Sequence, residues 1–155
     1  MRNRLTPDRR SQASDSRMSI PLAIIAISLM VVGALSETMV RHAIQVVPLV
    51  VVAILAIRGW HLATAAGVGL LLFWFVIMLL IWAFLFDIAT IVSGHYTTGE
   101  VVLTVLIALT ALSGMVLVVG GRRSVAKTRV KLFVFVVAMG LQALVVQFSY
   151  SRLLP

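Results

Sequence analysis

Five long apolar stretches, separated by short polar breaks, leave this chain little choice of fold. They run over residues 20–36, 42–57, 62–93, 101–119 and 132–150. A helix needs about 20 predominantly apolar residues to cross the hydrocarbon core of a bilayer, and each stretch comes close to or exceeds that length. The whole chain is only 155 residues long, yet 61% of it is hydrophobic and 12% charged. Soluble domains run at about 45–50% and about 25%. A soluble fold of this size could not bury so much apolar surface, and a disordered or fibrous chain would not carry it. The expected fold is therefore an all-α integral membrane protein, a bundle of five transmembrane helices. Residues 1–17 form a basic disordered tail and residues 18–155 a single transmembrane domain.

Local signals punctuate the spans. Pro48 sits within the second and is expected to kink it, because neighbouring groups in a bundle can satisfy the carbonyl that proline leaves without a donor. Arg58-Gly59-Trp60-His61 reads as a tight turn. The third stretch would be about 48 Å long as one helix, so it must tilt or project beyond the membrane, with Gly94 as its stop. Thr97 and Glu100 have the spacing of a capping box and restart the fourth helix. Ala34-Leu35-Ser36 fits a leader-peptidase site behind a basic lead, but the long lead and the later spans favour a retained first helix.

Charge orients the bundle. Of the 13 basic residues, five lie in the tail, one is Arg58, and five are Arg122, Arg123, Lys127, Arg129 and Lys131. With the N-terminus cytoplasmic, eleven basic residues fall inside and only Arg41 and Arg152 outside, as the positive-inside bias requires. The C-terminus is then extracytoplasmic. A four-span arrangement would put the two basic clusters on opposite sides. The net charge of +8 is thus a topology signal, with no role in binding nucleic acid. The 122–131 loop can also attract anionic lipid headgroups. The expected location is a cell membrane of the bacterial inner-membrane kind, crossed several times.

The same frame gathers polar residues on the outer side: Glu37, Arg41, His42, Gln45, Asp87, His95, Glu100 and Gln142, with Thr104 and Gln147 nearby. Much of this set has a structural explanation, such as an acid-first Glu37–Arg41 pair at i,i+4 and a capping role for Glu100. A chemical explanation would bring His42 and His95 together as ligands of a metal or haem, with carboxylates around them. A transport explanation would line a crevice with Glu37 or Asp87, Gln45 and Gln142. Cysteine is absent, which removes thiolate sites and disulfides, and no catalytic motif is present. No resident cofactor is expected.

Small residues at four-residue spacing mark close-packing faces: Ala63 with Gly67, Ala65 with Gly69, Thr104 with Ala108, and Thr110 with Gly114. The expected function is that of a non-catalytic polytopic membrane protein. It would be an accessory or self-associating part of a membrane complex, whose partners are the lipid bilayer and other membrane subunits or itself. The alternatives are a small transporter or channel, and a haem- or metal-binding redox protein. A reporter active only outside the cytoplasm should be active when fused after Pro155 and silent when inserted at Gly59; the reverse pattern would invert the topology.

Overall fold

The structure, a computed structural model, describes residues 9–89, 96–119 and 128–150, with the backbone alone for 9–16 and 119. It is all-helical: α1 Arg9–Leu35, α2 Met39–Ile57, α3 Ala63–Leu85, α4 Thr98–Val119 and α5 Thr128–Ser149. All five contain segments of 19 to 23 residues long and apolar enough to cross a membrane, or about 28–35 Å at the α-helical rise. Successive helices alternate in direction. One end of the bundle carries Leu35, Met39, Leu85, Thr98 and Ser149, with the acids Glu37, Asp87 and Glu100; the other carries Ile57, Ala63 and Thr128.

Two boundaries differ from the sequence expectation. The tail was expected to be irregular to residue 17, but α1 already begins at Arg9; residues 1–8 lie outside the described residues. The third helix was expected to reach residue 93 and stops at Leu85. Its stop is Asp87, whose φ of 59° lies in the left-handed region. Ile88 N–H donates to Ala83 O at 2.8 Å and Asp87 N–H to Phe84 O at 3.0 Å, the hydrogen-bond pair that closes a helix C-terminus. Glu37 (φ 55°) ends α1 in the same conformation, with Thr38 N–H donating to Gly33 O. Gly59 (φ 73°) ends α2 likewise. Glycine is the usual residue at such a position; here acids fill two of the three.

The helices form a closed circuit. α1 packs on α2 and α4, α2 on α5, and α3 lies between α4 and α5 while also touching α1 and α2. Among the described residues α4 and α5 do not meet. Among the described residues α3 touches all the other helices, whereas α4 reaches α1 and α3 alone. The core is lined by Leu22, Ile25 and Leu29 of α1, Leu49 of α2, and Leu70, Leu71 and Trp74 of α3. α1 is thus an integral layer of the bundle.

Glycine sets the helix separations. A Cβ on Gly69 would lie 2.7 Å from the Phe135 carbonyl oxygen, so α3 and α5 touch backbone to side-chain position. A Cβ on Gly114 would meet Leu71 at 2.7 Å and Pro21 at 3.0 Å, joining α4 to α3 and α1. Gly67 lies under Met18, and Gly33 under His42. The small residues read from the sequence therefore serve contacts within this chain. Gly69→Ala should lower unfolding stability by about 1–3 kcal/mol, since the obstacle is backbone that cannot rotate away. Gly140→Ala, with nothing within 4 Å, should be neutral or stabilising by up to about 1 kcal/mol. Equal effects of the two would refute this account of α3–α5 packing.

Candidate functional site

Those of the expected outer polar residues that the structure describes lie toward one end of the bundle, as a buried bridge, a capping acid, a rim and two exposed acids. The bridge joins α2 to α5. Gln45 is buried, and its Nε2 donates to Ser149 Oγ at 2.8 Å. Gln142, fully buried, donates from Nε2 to the Gln45 carbonyl oxygen at 3.0 Å. Ser149 Oγ in turn donates to Val146 O at 2.6 Å. One residue of α2 thus holds two positions of α5 that lie seven residues, or about 10 Å, apart. The local cause is the i,i+7 spacing of Gln142 and Ser149, which puts both on one face. In an apolar interior such amides need internal partners, because no lipid group can take their place.

A second link ties α3 to α4. Trp82 Nε1 donates to Thr104 Oγ1 at 2.9 Å, and Thr104 Oγ1 donates to Val101 O at 2.7 Å. The capping box forms as its spacing predicts. Glu100 Oε2 accepts from Thr97 N–H at 2.7 Å and from Thr97 Oγ1 at 2.9 Å, while Glu100 N–H donates to Thr97 Oγ1 at 3.3 Å. Glu100 is 6% exposed, so its carboxylate is an internal fitting of the α4 N-terminus.

The rim is assembled from the ends of several helices. Arg41 of α2 lies over the Tyr150 ring, 5.6 Å from its centroid, a cation–π contact. Among the described residues it makes no ion pair with Glu37, because Glu37 sits in the turn at the end of α1 and is exposed. His42, half-buried, packs its Cβ against Gly33, and its Nδ1 lies 3.1 Å from Thr38 Oγ1 and 3.2 Å from Thr38 O. Thr38 Oγ1 is in turn 2.6 Å from Ser36 Oγ. Tyr96 packs on Phe84 at 6.2 Å. Burial pushes its phenol above the ordinary tyrosine value, and the nearby Tyr150 and Glu100 act in the same direction.

The chemical alternatives gain little from this arrangement. His95, the second expected histidine ligand, lies outside the described residues, as do Arg122, Arg123 and Lys127 of the basic loop. Arg129 and Lys131 stand in the first turn of α5. Among the described residues no three His, Asp or Glu side chains converge. Asp87 is exposed at the end of α3, away from Gln142. A groove of about 490 Å³ runs between α1 and α2 along Ala26, Met30, Ala34, Val46 and Val50. It is apolar and does not reach the amides.

Sequence reasoning missed Ser149 and the pairing of Arg41 with Tyr150. The i,i+7 relation to Gln142 was the available signal for the former; the latter joins residues more than a hundred positions apart and left none. The chain matches no family model, no curated protein and no solved structure.

The bridge makes a quantitative statement. Ser149→Ala leaves the buried Gln45 amide without its acceptor, whereas Gln45→Leu with Ser149→Ala removes both partners. A double-mutant cycle on unfolding in detergent or bicelles should give a coupling of about 0.5–1.5 kcal/mol. A coupling indistinguishable from zero would show that the two side chains do not bond.

Proposed function

We propose that this protein is a non-catalytic, multi-pass component of a membrane complex, acting by helix association through the outward face of α5 and by its basic end. Its N-terminus is cytoplasmic and its C-terminus extracytoplasmic, in a membrane of the bacterial inner-membrane kind. The 11-to-2 division of basic residues supports that orientation.

One observation carries the association reading. The close-packing residues of α3 and α4 are occupied within the chain, while α5 has the least buried span of the five, at 17%. Along its open side Phe133, Val136, Gly140, Ala143 and Gln147 are all exposed, at alternating intervals of three and four residues. That is the repeat by which two helices present one seam to each other. Gly140 leaves open space on it. Gln147, two residues before the end of α5, adds an exposed amide that a facing helix can bond.

At the other end, Arg129 and Lys131 begin α5 where the basic loop meets it. They favour anionic headgroups by about 1 kcal/mol per cation near the surface, and so fix the height of the helix in the bilayer.

Purification from native membranes in mild detergent, with mass spectrometry of what accompanies the protein, tests this directly. A stoichiometric partner or a dimer is expected, weakened about tenfold or more by Gly140→Leu with Gln147→Leu. A monomer that brings no protein with it, or an assembly indifferent to both substitutions, would contradict the proposal.

A further inference from the structure

Pro48 lies near the middle of α2 and has no N–H to offer the Ile44 carbonyl four residues earlier. The neighbouring carbonyl, that of Gln45, is where Gln142 Nε2 donates at 3.0 Å. The Gln142 amide therefore stands against the stretch of α2 that proline leaves short of a donor. Its other end, Oε1, is fully buried and has no hydrogen-bond partner in the protein. Among the described residues one further buried side-chain atom shares that condition, the indole Nε1 of Trp74, which is 3% exposed.

The two orphans are complementary and stand at the same depth. α3 and α5 run in the same direction, and the contact of Gly69 with the Phe135 carbonyl sets their register. Five residues further along each helix, Trp74 comes level with position 140. Gln142 is two residues beyond, or about 3 Å along the axis. One orphan is a donor and one an acceptor, and the Ile44 carbonyl is a second acceptor. A group that accepts once and donates twice would satisfy all three.

We propose that a single water molecule is bound beside Pro48, accepting from the Trp74 indole N–H and donating to Gln142 Oε1 and to the Ile44 carbonyl oxygen. Three hydrogen bonds are the usual complement of a buried water. Ordered water is also one of the ways in which a membrane helix satisfies the carbonyl that proline frees. A monovalent cation is the poorer fit. The two oxygens are uncharged, and the indole N–H points the positive end of its dipole at the ligand. The bound water links α2, α3 and α5 near the middle of the bundle, beside the amide bridge, and gives the carbonyl freed by Pro48 a donor.

The test is water-selective NMR on the ¹⁵N-labelled full chain in nanodiscs. The indole signals of Trp60, Trp74 and Trp82 are assigned by single Trp→Phe substitutions. The expected result is a direct water cross-peak at the Trp74 indole proton, reduced about fivefold or more in Gln142→Met, where the water loses an acceptor. Pro48→Ala, which returns an N–H to Ile44, should reduce it as well and serves if Gln142→Met does not fold. Absence of the cross-peak in the unsubstituted protein overturns the proposal, as does one of undiminished intensity in either variant. A Trp74 indole bonded directly to Gln142, with no water contact, overturns it too.

Discussion

In a bilayer an apolar side chain gains nothing by leaving lipid for another helix, so the fold depends on how closely helix backbones can approach one another. Here that approach is set at Gly69, where α3 meets a carbonyl of α5, and at Gly114, where α4 receives Leu71 and Pro21. Dispersion is strong only at such separations, because its attraction falls away within an ångström of extra distance. The circuit of five helices follows from these contacts. α3 can touch all the others because its small residues face in several directions.

Close approach also decides where polar groups can stand. Once α5 lies against α2 and α3, Gln142 and Ser149 are enclosed and must bond to what they meet, which is Gln45. Trp82 and Thr104 do the same between α3 and α4. Charged groups remain at the ends, where Glu100 caps a helix, Arg41 covers an aromatic ring, and Glu37 and Asp87 occupy helix-terminating turns. The polar end therefore works first as a set of fasteners. This leaves α5 fastened along one side and open along the other.

Five helices were legible because each is a long apolar run, a signal that needs no tertiary information. The Thr97–Glu100 capping box was legible for the same reason: its partners are three residues apart. The end of α3 was not, because Ile88, Ala89, Ile91 and Val92 continue the apolar pattern past Leu85, and hydropathy does not register an aspartate that takes a left-handed conformation. Reading Gly94 as the stop followed the commonest residue for that turn and missed a rarer one. The candidate site was legible only as a set of residues sharing one end. Which of them touch was decided by contacts across helices, such as Gln45 with Ser149, 104 positions apart. Residue type alone does not separate a bridging amide such as Gln142 from an outward one such as Gln147.

The helix circuit is the claim on which the rest stands, and a chain without cysteine suits a direct measurement of it. Cysteines placed at Gln45 and Ser149 should join within one chain through a short bifunctional thiol reagent in intact membranes. Cysteines at Leu109 of α4 and Val137 of α5 should not. Efficient intramolecular joining of the second pair, with none of the first, would place α5 beside α4 and contradict the arrangement.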